Sequence, residues 1–141
     1  NMKNILAFFL SFFVLFSAYA EPICKDSRIG LHVGTYHLDR DTKYREFNPG
    51  IFASCNNFTA GTYANSEYKQ SYYFGYLFEY KVLGLFVGGV TGYSDNLYKL
   101  QPMLVPSIKI PSTPIRINYL PQQPNKEKNT QGIHITLEYK F

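Results

Sequence analysis

Histidine, serine and asparagine side chains are the groups of this chain whose types and spacing suit nucleophilic chemistry. His32 and His37 lie close together in sequence, and Asn65 directly precedes Ser66. An imidazole can act as a general base towards a hydroxyl, and an amide can donate a hydrogen bond to a developing oxyanion. Both roles require short distances, so the elements that carry these side chains decide whether they form a site.

The first twenty residues are typical of a secretory signal. Lys3 gives a positive start, residues 5–16 are almost wholly apolar, and Ala18-Tyr19-Ala20 places small residues where a signal peptidase cleaves. The apolar run is too short for a membrane-spanning helix, and no later run of about 18 apolar residues follows it. We therefore predict a signal peptide at residues 1–20 and one exported domain at residues 21–141.

The sequence contains two cysteines, Cys24 and Cys55. Because an exported chain meets an oxidising compartment, an even number of cysteines favours a disulfide over a pair of inert thiols. We therefore expect these two residues to be bonded.

The charge of the chain is modest and evenly spread. Fourteen basic and ten acidic residues give a formal net charge of +4, and 18% of the residues are aromatic. No window has the clustered Lys and Arg of a nucleic-acid-binding surface, and the aromatic content argues against disorder. Nucleic acid is therefore not an expected partner.

Apolar and polar residues alternate along most of the exported chain, most clearly at residues 133–141. This period of two predicts β-strands, although alternation alone also fits a soluble sandwich. An exported chain with strands of about 9 to 11 residues and an aromatic last residue favours an all-β fold, an eight-stranded antiparallel transmembrane β-barrel in the bacterial outer membrane. The expected strands are 28–38, 47–54, 58–65, 71–80, 83–92, 102–110, 114–120 and 132–141.

The expected connections alternate between short turns and longer polar loops. In outer-membrane barrels the short turns face the periplasm, which would place both chain termini and both cysteines at that end. On the first strand, alternation predicts that Ile29, Leu31, Val33 and Thr35 face lipid. It predicts that His32 points inward and that His37 points out at the rim.

The fifth strand is apolar on both faces. If Leu83 and Leu85 face lipid, then Gly84, Phe86 and Gly88 face inward and leave an apolar slot beside the phenyl ring. The alternative is an interior simply filled by large and small side chains in turn. Prolines in the sixth and seventh strands should weaken the ladder and could open a lateral gap towards the bilayer.

Several of these segments resemble a known family. They are the run Leu83–Thr91, the element Pro102–Pro106, Pro114, the triplet Tyr119–Pro121 and the ending Tyr139–Phe141. In this order and nearly this spacing, they resemble the C-terminal half of the lipid A palmitoyltransferase family. That family consists of eight-stranded outer-membrane barrels that hold an acyl chain inside. They move a palmitoyl group from a phospholipid to lipid A without a cofactor.

The resemblance implies an acyltransferase whose partners are phospholipid and lipid A, and we expect a monomer without cofactor or metal. The family carries a histidine on its first strand and an Asp-Ser pair at the outer end of its third. By this resemblance His32 or His37 is the base, Ser66 supplies a hydroxyl or an oxyanion donor, and Asn65 stands at the aspartate position. Alternation favours His32, whereas nearness to the outer leaflet favours His37.

The resemblance also implies an acyl pocket. Gly75-Tyr76-Leu77 resembles the stretch of the fourth strand that sets the pocket floor in the family, with Leu77 where a small residue would stand. A pocket lined by Leu77, Gly84, Phe86 and Gly88 should favour a chain shorter than palmitate. The main alternative function is that of a non-catalytic small outer-membrane barrel that protects the surface or excludes phage.

Overall fold

The computed structural model of the protein describes residues 24–39, 43–93, 99–122 and 130–141. Within these ranges eight antiparallel strands close into a barrel, in which the last strand pairs with the first. The expected all-β, eight-stranded fold is therefore confirmed, with small differences at the strand ends. The strands are β1 (Ser27–His37), β2 (Phe47–Cys55), β3 (Phe58–Ala64), β4 (Gln70–Tyr80), β5 (Leu83–Val90), β6 (Gln101–Lys109), β7 (Ile115–Leu120) and β8 (Gly132–Lys140).

The predicted signal peptide, residues 1–20, lies outside the described residues. Among the residues that the structure does describe, no helix is long and apolar enough to cross a membrane.

One end of the barrel, which we call the turn end, carries the short connections between β2 and β3, β4 and β5, and β6 and β7. Asn56 and Asn57 form the first of these, with φ angles of 50° and 71°. A type I′ hairpin turn has a positive φ at both central positions, which asparagine adopts more readily than most residues. The other connections, most of them longer, lie at the opposite end, which we call the loop end.

A disulfide joins Cys24 to Cys55 at the turn end, with the two Cα atoms 5.1 Å apart. The expected pairing is therefore confirmed. The bond ties the segment before β1 to the β2–β3 turn, where Asn56 Oδ1 also accepts a hydrogen bond from the backbone nitrogen of Lys25 (2.8 Å). By the usual loop-entropy argument, closing this loop contributes about 3 to 4 kcal/mol.

Large apolar side chains cover the outer wall of the barrel between two rings of aromatic residues. The apolar band includes Ile29, Leu31, Ile51, Phe74, Leu83, Leu85, Val87, Leu104 and Ile108, all more than a third exposed. The aromatic ring at the turn end contains Phe58, Tyr80 and Tyr139, and the ring at the loop end contains Tyr36, Phe47 and Tyr72. An apolar band between aromatic girdles is typical of barrels whose outer wall contacts lipid.

A β-bulge in β1 changes which of its side chains face the interior. Pairing with β8 shifts by one residue between His32 and Gly34, so Val33 is an extra residue. Because side chains alternate along a strand, one extra residue inverts the pattern beyond it. Thr35 and His37 therefore turn inward and are only 5% and 4% exposed. The prediction that these two residues face outward was wrong for this reason.

Candidate functional site

Four charged side chains form a layer across the turn end of the barrel interior, which we call the ion-pair layer: Arg28 (β1), Glu79 (β4), Arg116 (β7) and Glu138 (β8). Arg116 Nη2 lies 2.9 Å from Glu138 Oε1 and 3.1 Å from Glu79 Oε2. Arg28 binds Glu79 as well, and its Nη1 lies 3.6 Å from Glu138 Oε1. Two guanidinium groups thus face two carboxylates, which compensates each charge inside the barrel.

The space beside Gly84 is used by this layer. A Cβ atom at Gly84 would lie 2.7 Å from Arg116 Nη1 and 2.6 Å from Ser107 Oγ. Gly84 faces inward as expected, but its missing side chain makes room for the arginine. At Gly88, a Cβ atom would lie 2.8 Å from the Cα atom of Gly75, so this glycine allows β4 and β5 to approach closely.

His32 lies in a chain of hydrogen bonds above the ion-pair layer. Its Nδ1 atom is 2.8 Å from His134 Nε2, and its Nε2 atom is 2.7 Å from Tyr73 Oη. His134 Nδ1 is in turn 2.7 Å from Thr35 Oγ1. Both ring nitrogens of His32 are therefore engaged with neighbouring side chains, an arrangement that holds the imidazole rigidly in the barrel interior.

An apolar cavity of about 80 Å³, the inner cavity, lies beside this chain of hydrogen bonds. Leu77 and Phe86, two of the expected acyl-pocket residues, form part of its wall together with Phe52. The ion-pair layer closes it below through Arg116 and Glu138. An apolar cavity therefore lies beside Phe86, but Gly84 and Gly88, the other two expected pocket residues, are not among the residues that line it.

A second cavity of about 100 Å³, the loop-end cavity, brings His37 and Ser66 together. Tyr44 stacks on the His37 ring at 4.4 Å between centroids, and Glu67 also lines this cavity. Two of the four catalytic candidates therefore share one cavity, whereas His32 lines the other. Glu67, a carboxylate that no sequence pattern indicated, lines the same cavity.

Tyr93 lies in the same loop-end cavity and donates or accepts a hydrogen bond with Tyr63 at 2.6 Å between the hydroxyls. Burial raises the pKa of Tyr93 well above its usual range, and the charge of nearby Glu67 acts in the same direction. The lining of the loop-end cavity therefore includes buried phenols and one carboxylate beside its apolar side chains.

Asn65 is fully buried and forms four hydrogen bonds within its own surroundings. Its Nδ2 atom donates to Ser71 Oγ and to the carbonyl oxygen of Gly92, each at 2.9 Å. Its Oδ1 atom accepts from the backbone nitrogens of Glu67 (2.9 Å) and Lys69 (3.0 Å). The side chain therefore shapes the loop that carries Ser66 and Glu67, instead of pointing a donor into the cavity.

The ladder between β6 and β7 is short. It comprises only three residue pairs, in which Ser107, Ile108 and Lys109 lie opposite Asn118, Ile117 and Arg116. The part of β6 from Gln101 to Pro106 therefore has no partner in β7. We call this opening the β6–β7 gap. Met103, Val105 and Leu120 lie beside it and line both cavities, which places each cavity next to the gap.

Several interior residues were not among the candidates drawn from the sequence. Glu67 stands in a loop, where periodicity carries no information about direction. Arg116 and Glu138 occupy polar positions of alternating strands, and Glu138 falls on the polar face of the clear pattern at residues 133–141. That alternation could have indicated that the Glu138 carboxylate points inward. It could not indicate that Arg116 is its ion-pair partner.

Comparison of the chain with models of protein families and with curated protein sequences finds no match, so the site rests on its own residues and geometry.

Proposed function

We propose that this barrel lies in the bacterial outer membrane and transfers an acyl chain from a phospholipid to lipid A. The observation that carries the proposal is the loop-end cavity, which is lined by His37, Ser66 and Glu67 together with residues of the β6–β7 gap. An acyl lipid whose chain passes through the gap would have its ester close to these polar groups. The apolar outer band and its two aromatic rings support the membrane location.

In this proposal His37 is the general base. It accepts the proton of the attacking hydroxyl of lipid A, while the ester carbonyl becomes a tetrahedral oxyanion that the Ser66 hydroxyl stabilises. Collapse of that intermediate expels the lysophospholipid alkoxide, which takes the proton back from His37. Glu67 would stabilise the imidazolium that forms between these steps. His32 is the weaker candidate because both of its nitrogens are engaged deeper in the barrel.

The size of the interior supports a short acyl chain. The loop-end and inner cavities measure about 100 and 80 Å³. Each is well below the roughly 300 Å³ of a small ligand pocket. Leu77 and Phe86 fill the space that further carbon atoms would need. The proposed donor group is therefore shorter than palmitate.

Mass spectrometry of lipid A from cells with and without the protein tests this function. We expect one extra acyl mass when the protein is present, and its loss in His37→Ala and Ser66→Ala. His32→Ala serves as the matched histidine control and should retain transfer. Folding of every variant is checked by comparing boiled and unboiled migration in detergent gels, because closed barrels resist unfolding.

Unchanged lipid A in cells that contain the folded protein would contradict the acyltransferase proposal and leave the non-catalytic surface barrel as the better explanation. Full transfer in Ser66→Ala, or in the variant that lacks both His32 and His37, would refute the site. A protein recovered in soluble form from the periplasm would contradict the membrane location.

A further inference from the structure

The turn end of the barrel carries an uneven charge. Among the described residues at this end, six are basic and three are acidic. The acidic residues lie close to arginine side chains, as the ion-pair layer shows for Glu79 and Glu138. The basic residues are Lys25, Arg28, Lys81, Lys109, Arg116 and Lys140, and the acidic ones are Asp26, Glu79 and Glu138.

The three carboxylates at the turn end pair mainly with the two arginines of the ion-pair layer. Glu79 and Glu138 bind the two arginines of the ion-pair layer. Asp26 Oδ2 lies 3.0 Å from Arg28 Nη2, and hydrogen bonding to Arg28 lowers the pKa of Asp26. The charge of the lysines at the rim is therefore left largely uncompensated.

Three of these lysines are exposed on the rim, and two adjoin the aromatic ring. Lys81 Nζ lies 5.4 Å from the ring centroid of Tyr80, which faces outward. Lys140 directly follows the exposed Tyr139, is 67% exposed and approaches Asp26 only at 3.7 Å. Lys25 precedes β1 at the same end and is exposed. We call Lys25, Lys81 and Lys140 the lysine rim.

From this arrangement we infer that the lysine rim binds the phosphate groups of anionic phospholipids in the leaflet that surrounds the turn end. The aromatic ring places the rim at headgroup depth, and flexible lysine side chains reach phosphates from there. The loop end has a smaller excess of positive charge, with four basic and three acidic residues among those described. The inference uses the proposed membrane location but not the proposed acyl transfer.

Spin-labelled lipids in vesicles of phosphatidylcholine with a minor share of phosphatidylglycerol test the inference. Electron paramagnetic resonance gives the ratio of association constants for labelled phosphatidylglycerol and phosphatidylcholine at the protein surface. The wild type should prefer phosphatidylglycerol, and Lys25→Gln/Lys81→Gln/Lys140→Gln should lower that preference by roughly threefold or more. High salt should weaken the wild-type preference as well, because it screens exposed charges.

A matched control removes three lysines at the other end: Lys43→Gln/Lys69→Gln/Lys99→Gln. It should keep the preference. An unselective wild type, a rim variant with the wild-type ratio, or an equal loss in the control would each overturn the inference. Gel migration and protease resistance of the same vesicles report insertion separately. Failure to insert contradicts the membrane location and the inference together, whereas absent acyl transfer leaves the inference standing.

Discussion

At the residue scale, Asn65 uses both polar atoms of its side chain to hold the loop between β3 and β4. An amide can donate to Gly92 and accept from the backbone of Glu67 at the same time, which a carboxylate cannot do. Sequence resemblance to an aspartate-containing family suggests that Asn65→Asp would raise activity by restoring a charge. The geometry gives the opposite expectation, because a carboxylate oxygen would face the carbonyl oxygen of Gly92.

We therefore predict that Asn65→Asp destabilises the folded barrel. Losing the two donated bonds of a fully buried group should lower the free energy of unfolding by about 1 to 3 kcal/mol. Urea unfolding in detergent micelles measures the change, with Ser66→Ala as a neighbouring control that removes no short hydrogen bond. Wild-type stability combined with higher acyl transfer in Asn65→Asp would show that the charge matters more than the loop.

Leu77 is the residue on which the acyl chain length depends in the proposed function. It lines the inner cavity, and a Cβ atom added at Gly84 would lie 3.3 Å from Leu77 Cδ1, which places the leucine directly above the ion-pair layer. Leu77→Gly should deepen the cavity and lengthen the transferred chain, since each buried CH₂ contributes about 0.8 kcal/mol.

The mass of acylated lipid A measures this preference. Leu85→Gly, on the outer wall of β5, is the matched control and should leave the chain length unchanged. If an active Leu77→Gly variant transfers a chain of the same length as the wild type, Leu77 does not form the floor of the acyl pocket.

At the element scale, the β6–β7 ladder ends where a proline stands. The backbone nitrogen of Ile110 donates to Ile115, so the even-numbered residues of β6 direct their backbone groups towards β7. Continuing the register places Pro106 opposite Tyr119, at a position where a donor is needed and proline has none. Pro102 and Pro106 both occupy even-numbered positions of β6, which face β7 with their backbone groups. The gap therefore follows from the positions of these prolines.

Pro106→Ala should extend this ladder by supplying the missing donor. We expect slower hydrogen exchange at the Tyr119 amide, measured by NMR in micelles, because the new pair would protect it. Slower acyl transfer would accompany a narrower gap. Pro114→Ala, which alters the turn before β7, is the control. Unchanged exchange at Tyr119 would mean that strand separation, and not the absent donor, keeps the gap open.

At the scale of the whole molecule, the interior changes in character from one end to the other. The ion-pair layer closes the turn end, an aromatic and imidazole layer fills the middle, and the loop-end cavity lies beneath the longer connections. The ion-pair layer joins strands from different sides of the barrel and so stabilises the closed sheet as a unit. Arg28 has a further carboxylate partner in Asp26, whereas Arg116 pairs only with Glu79 and Glu138 among the described residues.

Glu138→Gln should therefore be strongly destabilising, by about 3 kcal/mol or more, because it leaves the buried Arg116 with Glu79 as its remaining carboxylate partner. The midpoint of urea unfolding in micelles measures the effect. Lys140→Gln removes a charge from an exposed pair and should change the midpoint little. Similar midpoints for the two variants would show that the layer adds nothing to stability.

The sequence by itself determined the strands, their number and the disulfide partners. Alternation is a local property of a strand and is kept in the folded barrel. In β5, Leu83 and Leu85 face outward and Phe86 faces inward, as the alternation predicts. The sequence contains two cysteines, so once a disulfide was expected its partners needed no further information. These features depend on residue types and spacing within single segments.

Only the tertiary structure decided which side chains meet. The bulge at Val33 depends on how β1 pairs with β8, and it turns His37 inward. Glu67 comes to share a cavity with His37 because Asn65 fixes a loop through contacts with Gly92, distant in sequence. Local patterns cannot carry such information, since register and loop shape are set by partners far along the chain.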